Sequence, residues 1–523
     1  MTIGTRHLST THSDSGGRII GTKALCQHND EVERVATAVR SYYERHQPFR
    51  IFHGSTNSTR PIRAGPVADI SRLSRVLCVD AAAGVVVVEP NVPMDKLVQA
   101  TLAHGMIPPI VMEFPGITVG GGYAGSAGES SSFRHGYFDQ TVQSVEIVLA
   151  SGEIVNASSC ENTDLLNGAA GSLGTLGITT KLEVALVPAK TYVKLDYRPF
   201  CTVRETIQAT LEATMKAEND YVDAILFSTA HGVVMTGRLV DDLPKGYSPQ
   251  TFSGSWDPWF YKHVQAKSIT QATTDYIPIA EYLFRYDRAG FWVGADAFKY
   301  FCLTPHNRFI RWLLDDFMHT RMLFRALHAS NMSFGHMVQD LSLPYSTVES
   351  FIDWCANQLS IWPLWLCPLR ATQAPTFHPQ TSDAAGIPQP MLNIGLWGRA
   401  SFDLSTFVEQ NRALEARLVQ LGGRKVLYSH TYYTEEEFWA LYDERWYNAL
   451  RQKYVATSLP TVYEKVRVDL TEKGWGGRVW WQRIWDTWPF PGIWGVWYAL
   501  RSGDYKIHRP QPGWKYWEMN QGL

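Results

Sequence analysis

The chain of 523 residues has no excess of positive charge: 48 Lys and Arg stand against 50 Asp and Glu, a net charge of -2. Without a basic stripe there is no electrostatic footprint for nucleic acid, and polyanion binding is excluded as a main role. Nor is there a pair of cysteines at zinc or redox spacing. Cys26, Cys78, Cys160, Cys201, Cys302, Cys355 and Cys367 are scattered and odd in number. That excludes a disulfide framework and a cysteine-based metal site, and points to reduced thiols in a cytosolic compartment. No apolar run reaches the roughly 18 residues of a membrane span. The opening stretch, MTIGTRHLSTTHSDSGGRII, has no apolar core of a signal peptide and is expected to be a frayed extension over residues 1–25. The sequons at Asn57, Asn156 and Asn331 then carry little weight, because glycosylation requires secretion. No internal repeat is visible.

What remains is a folded chain of two or three domains, 45% hydrophobic and only 19% charged. Residues 115–132, PGITVGGGYAGSAGESSS, satisfy the letters of the dinucleotide fingerprint G-x-G-x-x-G. That fingerprint requires a buried strand before it and a helix after it. Here Pro108-Pro109 and Pro115 precede it, and the hydroxyl-rich ESSSFRHG that follows lacks helical apolar spacing. The stretch therefore reads as a glycine loop that lets backbone N–H groups approach a ligand closely. Two more such stretches flank strands. The first is GSTNS at 54–58 after Ile51-Phe52; the second, with Gly168, Gly171, Gly174 and Gly177, precedes an extended run from Ile178 to Leu186. One ligand held mainly by backbone accounts for all three.

Helical spacing predicts a helix over 30–46 and another in PMDKLVQATLAHG; strands are expected at 84–90, 142–149, 336–344 and 391–398. Near residue 195 glycine loops give way to long aromatic elements, which sets a domain boundary there and predicts a second α+β unit.

The pieces TVGG (118–121), GESSSFRHGYF (128–138), GSLGTLGI (171–178), WFYKHV (259–264), WPLWLCP (362–368) and LYSHTYYTEEEFWALYD (427–443) together resemble the FAD-linked oxidoreductases of the vanillyl-alcohol-oxidase superfamily. Within it the chain is most similar to the delta-24 sterol reductase (Diminuto) family, over roughly residues 50–470. The resemblance implies an α+β architecture. A PCMH-type FAD-binding domain of two α/β subdomains would span 26–195 and an α+β substrate (cap) domain 196–425. A segment returning to the flavin would cover 426–470 and a Trp-rich tail 471–523. It implies FAD contacts at Gly54, Ser55, Thr56, Asn57 and Ser58, at Thr118, Gly120, Gly121, Gly125, Gly128 and Ser131, and at Gly171, Gly174, Gly177 and Ile178. Many relatives carry a tethering histidine in the first loop. Asn57 stands there, which implies non-covalent FAD, with His53 four residues away. The implied activity is reduction of a side-chain carbon–carbon double bond in a sterol or terpenoid-like hydrophobe, with NADPH as co-substrate. An oxidase or dehydrogenase using O2 and a non-catalytic scaffold stay open as alternatives.

Such a reduction needs a protein acid beside the alkene. The candidates are Tyr428, His430 and Tyr432, which alternation would put on one strand face, and Glu129 after the glycine loop, with a salt bridge to Arg134 as its plainer role. Asp340 is expected to be structural, and Arg134 and Lys194 to be solvated or to attract NADPH phosphates. No residue set points to a resident metal. Nine of the 19 tryptophans fall in the last 50 residues. That tail packs on the second domain or a twin subunit in a homodimer, rests on a membrane, or lids the pocket. The protein is expected to be cytosolic or peripheral on the endoplasmic reticulum membrane.

Overall fold

The computed structural model describes residues 11–13, 19–54, 65–267, 272–300, 307–330, 335–401, 403–469 and 489–506. Helix α1 (Thr22–Glu44) starts earlier than the spacing predicts and buries Val32, Val35, Ala36 and Val39 at i, i+3, i+4 and i+7. Part of the supposed frayed extension is thus helix, and Thr11–Ser13 pairs with Ile19–Gly21. A short parallel pair follows, β1 (Arg50–Phe52) with β2 (Val67–Asp69), which brackets residues 53–66. Next comes a five-stranded antiparallel sheet of β3 (Val76–Asp80), β4 (Val85–Val88), β5 (Val142–Val148), β6 (Ile154–Ser158) and β7 (Ile178–Ala185), in the order β3-β4-β7-β5-β6. His28 of α1 is locked to this sheet between Glu89 (2.9 Å) and Glu146 (3.0 Å).

The second unit is one antiparallel sheet of eight strands: β8 (Tyr192–Phe200), β9 (Tyr221–Ser228), β10 (His231–Val240), β11 (Thr273–Pro278), β12 (His336–Pro344), β13 (Leu364–Leu369), β14 (Met391–Arg399) and β15 (Arg424–Lys425). Their order is β11-β8-β10-β9-β13-β14-β12-β15. Because β8 runs unbroken from Tyr192, the boundary set at 195 falls inside a strand, and the change of sheet lies at 186–191.

Strand alternation gives the sheet two faces with different tasks. Met337, Leu341, Leu364, Leu366, Ile394 and Leu396 point one way and join helices Val203–Thr214, Val348–Gln358 and Leu404–Gln420 in a separate core. The intervening residues, Val338 and Asp340 on β12, Trp365 and Cys367 on β13, Asn393 and Trp397 on β14, face the FAD-like half and line a cavity between the units.

Two local expectations change. The glycine stretch is not an irregular loop: Val119–Gly125 winds into a short helix, α2, whose first turn is capped by Thr118 Oγ1 accepting from Gly121 N (3.2 Å). A further helical turn, Ser132–His135, follows it. Residues 426–433 do not form the expected strand. Val426 N–H goes to the Asp340 carbonyl and Thr431 pairs with Val466 and Val468, while side chains take other backbone groups of the segment. Lys425 Nζ donates to the His430 carbonyl (2.5 Å), Glu415 accepts from Tyr432 N (3.0 Å) and Arg412 donates to the Tyr432 carbonyl (2.5 Å). With its polar groups so satisfied, the segment turns rather than extends.

Candidate active site

The cavity has a volume of about 1760 Å3, larger than the roughly 300–1,000 Å3 of a site for one small molecule. It has room for two molecules side by side. Its first wall is the glycine-bearing backbone. Gly54, Thr118, Gly120, Gly121, Gly125, Gly128, Gly174, Gly177 and Ile178 all border it. A Cβ at Gly125 would meet nothing within 4 Å, and one at Gly121 only the Thr118 hydroxyl. Both positions leave bare backbone facing open space. Gly120 differs. Its N–H donates to the Pro90 carbonyl (2.8 Å) and a Cβ there would strike Pro90, so its lack of a side chain serves packing. Ser126, held at φ +54, turns toward the same cavity, and its buried hydroxyl has no hydrogen-bond partner among the described residues. An orphaned buried donor beside bare backbone is what a polar, flat ligand would complete.

Where this wall meets the C-terminal segment, Arg451, Lys465 and Arg467 reach the cavity edge. Lys465 Nζ donates to the Leu173 carbonyl (2.5 Å), next to Gly174. A cation beside N–H-rich backbone suits a phosphate. The residues present therefore fit a dinucleotide-type flavin cofactor such as FAD. Ser55, Thr56, Asn57 and Ser58 lie outside the described residues, between Gly54 and Gly65. Ser131 and Gly171 are not on the wall. The Ser131 hydroxyl donates to the Pro109 carbonyl (2.8 Å), and Gly171 packs against Ser126 and Phe377.

The opposite wall is the sheet, with Trp365, Trp397, Leu369 and Cys367 as its apolar surface. Polar groups interrupt it at His336, Asp340 and Asn393. Asp340 accepts from Asn393 Nδ2 (2.8 Å) and is hydrogen-bonded to the Tyr428 hydroxyl, while Asn393 in turn accepts from Ser342 Oγ (3.0 Å). Burial pushes the Asp340 carboxyl up to about 6, although its two partners pull it down, and burial raises the Tyr428 phenol well above its ordinary range. Asp340, expected to be structural, is thus part of the cavity lining. Trp365 is held from behind by Asp223, which accepts from its indole N–H (3.1 Å), from Tyr286 (2.9 Å) and from Arg285 (3.0 Å).

Two carboxyls approach from the FAD-like half. Glu129 Oε1 accepts from the Glu113 backbone N–H (3.1 Å). It lines the cavity without pairing to Arg134, whose guanidinium goes to Asp220 (3.1 Å). Glu113 itself lines the cavity at 8% exposure. Burial, with Asp340 and Asp223 nearby, pushes its carboxyl up to about 8 against the pull of Arg285 and of its own backbone. A neutral carboxylic acid at neutral pH is a proton carrier. Of the three aromatic candidates only Tyr428 reaches the cavity; His430 and Tyr432 are buried behind it, and Tyr432 packs against Phe407. Lys194 lies beside Asp196 (3.7 Å), away from the cavity.

Sequence reasoning passed over Glu113, although it sits in MEFPG immediately before the glycine stretch. The signal was a lone acid between Met112 and Phe114, where an unpaired charge costs most. Among the described residues no cluster of His, Cys, Asp and Glu could hold a metal. No described helix is long and apolar enough to cross a membrane.

Comparison with known proteins identifies the family. The FAD-binding domain family matches residues 28–158. The Delta(24)-sterol reductase of Homo sapiens is 30% identical over 403 residues, 75% of this chain and 76% of the relative. That of Pisum sativum is 26% identical over 444 residues, covering 77% of each. Cytokinin dehydrogenase 4 of Oryza sativa is 32% identical over only 146 residues, 27% of each chain.

Proposed function

The chain belongs to the Delta(24)-sterol reductase family of FAD-domain oxidoreductases, and from that premise we propose that it reduces a side-chain carbon–carbon double bond of a sterol or terpenoid-like hydrophobe. In this proposal FAD is held non-covalently and NADPH is the reductant. The observation that carries the reading is the Tyr428–Asp340–Asn393 chain, set in a largely apolar wall opposite a glycine-lined one. FAD, when bound, supplies hydride transfer. Everything else falls to the protein.

An isolated alkene is weakly electrophilic, so a proton has to be placed against the carbon that does not receive hydride. Trp365, Trp397 and Leu369 exclude water and hold an apolar chain flat. Tyr428 presents the phenolic O–H. In its neutral form Asp340 passes a proton to the Tyr428 oxygen as Tyr428 gives its own to the substrate, so no phenolate is left in a buried site. Asn393 fixes the carboxyl that does this by donating to Oδ1. Glu113, neutral near pH 7, keeps negative charge away from the region where reducing equivalents collect.

The experiment is anaerobic mixing with NADPH while flavin absorbance is followed, then addition of a sterol with a side-chain alkene. Bleaching by NADPH and recolouring by the sterol, with a product two hydrogens heavier, is expected. Recolouring only by O2, with peroxide release, overturns the reading in favour of an oxidase.

A further inference from the structure

Helix α3 (Thr320–Ala329) borders the cavity through Leu323, Phe324 and Leu327, and helix α4 (Phe490–Ser502) lies on its outer side. The contact face of α4 is made of small residues. Gly492, Gly495 and Ala499 are buried, and a Cβ at Gly495 would come within 2.5 Å of the Ala326 carbonyl. The helix is also tied down by Arg325 to Asp504 and by Gly492 N–H donating to the Tyr300 hydroxyl (3.4 Å). Its other face is apolar and uncovered. Phe490, Ile493, Trp494, Trp497, Tyr498 and Leu500 are between 39% and 53% exposed. The first five fall at i, i+3, i+4, i+7 and i+8, one stripe of a helix.

Three observations say what covers this stripe. Its exposed residues are mostly aromatic, and Trp497 and Tyr498 are of the kinds that prefer the boundary between lipid and water. No carboxylate occurs between Phe490 and Gly503, while Arg501, whose guanidinium lies 5.4 Å from the Trp497 ring centre, and Lys506 follow at the end. Cations there suit headgroups while the rings bury. Third, Trp494 and Tyr498 belong both to the exposed stripe and to the cavity lining, so the apolar surface continues from outside into the site. Phe309, Trp312 and Leu313 are a second exposed apolar group. They are exposed just before the turn Asp315–Phe317, which packs against Asp504–Lys506.

We propose that α4 is an interfacial helix that docks the protein on a lipid bilayer surface with the cavity mouth against the membrane, so that a water-insoluble substrate enters from lipid. The purpose of the docking rests on the reductase reading; the docking itself is measured without turnover. It spans nothing, and it uses ring burial rather than charge as its main attraction. Residues 470–488 of the Trp-rich tail lie outside the described residues and are not needed for the assignment.

The test is flotation with phosphatidylcholine vesicles at high salt, where headgroup attraction is screened and burial of rings is not. Wild-type protein is expected to float with the vesicles. The double variant Ile493→Asp, Trp497→Asp changes two residues that do not line the cavity. It should float at least about tenfold less, since each buried apolar side chain contributes on the order of 1.5–3 kcal/mol, while keeping wild-type flavin content and wild-type turnover of detergent-dispersed substrate. Wild type that stays at the bottom of the gradient overturns the proposal. So does a variant that floats equally, or a wild-type dimer that ignores vesicles and dissociates in the variant. Should the variant lose flavin, quenching of wild-type tryptophan emission by bromine-labelled acyl chains decides: quenching sustains the docking and its absence overturns it. Failure of alkene turnover in detergent counts against the reductase reading alone.

Discussion

Replacing Glu113 by Gln removes an ionisable group while keeping its shape. Its carboxyl, 8% exposed, is pushed by burial from the ordinary 4.5 to about 8. In the unfolded chain the same group ionises near 4.5. Between those pH values the folded protein therefore holds one proton more than the unfolded one, and stability falls as pH rises through that window. Below it both states are protonated and above it both are ionised, so the change is confined there. At about 1.36 kcal/mol per unit the full span is roughly 5 kcal/mol as a ceiling, of which about 2.7 kcal/mol falls between pH 6 and pH 8. The Gln variant lacks this slope. Denaturant midpoints of the two proteins should then converge toward pH 5 and separate toward pH 8.5, the variant being the more resistant at the alkaline end. Difference titration of the native proteins should show one extra proton released by the wild type near pH 8. A missing group that titrates near 4.5, with parallel midpoint curves, would refute the placement of a neutral acid in the cavity.

The sequence was most legible where one spacing served one purpose. The i, i+3, i+4, i+7 pattern of Val32, Val35, Ala36 and Val39 is a helix because all four are buried against a sheet. HMVQDLSLP is the strand His336–Pro344 because its alternate residues face a core. The same alternation hid the site. In VQDLSLP, Asp340 has a lone carboxylate's look of a structural partner, and only the register that places it opposite Gly395, diagonal to Asn393, brings it beside Tyr428. Tyr428, His430 and Tyr432 alternate in sequence as a strand would, yet the side chains of Lys425, Glu415 and Arg412 take the backbone groups of His430 and Tyr432, and Thr431 pairs with Val466 and Val468, so the segment turns. Tertiary hydrogen bonds outweighed the local pattern. The glycine stretch misled in the other direction. Glycine disfavours helix by about 1 kcal/mol per residue, but the Thr118 cap and close packing of Gly120 on Pro90 and of Gly122 on Met112 offset that cost in two turns. Of the FAD contacts implied by resemblance, those on α2 and at Gly174, Gly177 and Ile178 border the cavity. Ser131 turns its hydroxyl to the Pro109 carbonyl, and Gly171 lies behind Ser126 and is not part of the lining.

Tyr428→Phe should slow alkene reduction by about 10²-fold to 10⁴-fold, the usual worth of a placed general acid, and leave flavin reduction by NADPH intact; Tyr432→Phe, in the core behind it, should leave both rates alone. Stopped-flow measurement of the two half-reactions separates these outcomes, and equal turnover of both variants would remove Tyr428 from the mechanism. Gly125→Val should lose flavin while remaining folded, because a Cβ there meets no protein atom within 4 Å and the side chain enters the space assigned to the cofactor. The absorbance ratio of bound flavin to protein reads this directly, and full occupancy would detach α2 from FAD. Acid precipitation should release the flavin into solution; flavin retained in the pellet would mean a covalent link. The last prediction concerns the buried pair Lys425–Glu415, 2.8 Å apart and 1% and 2% exposed, whose two ends hold the turn that carries Tyr428. Lys425→Met strands the Glu415 carboxylate and the His430 carbonyl without their cation, and breaking such a pair costs roughly 3–5 kcal/mol. Lys425→Met with Glu415→Leu removes both charges, so most of that loss should return in thermal melts. The Tyr432 N–H and His430 carbonyl that the pair anchored are not restored, however, and the turn presenting Tyr428 stays loose. Recovered stability with alkene reduction still slowed would assign the pair to positioning Tyr428, and recovery of both together would show that the turn holds its shape without it.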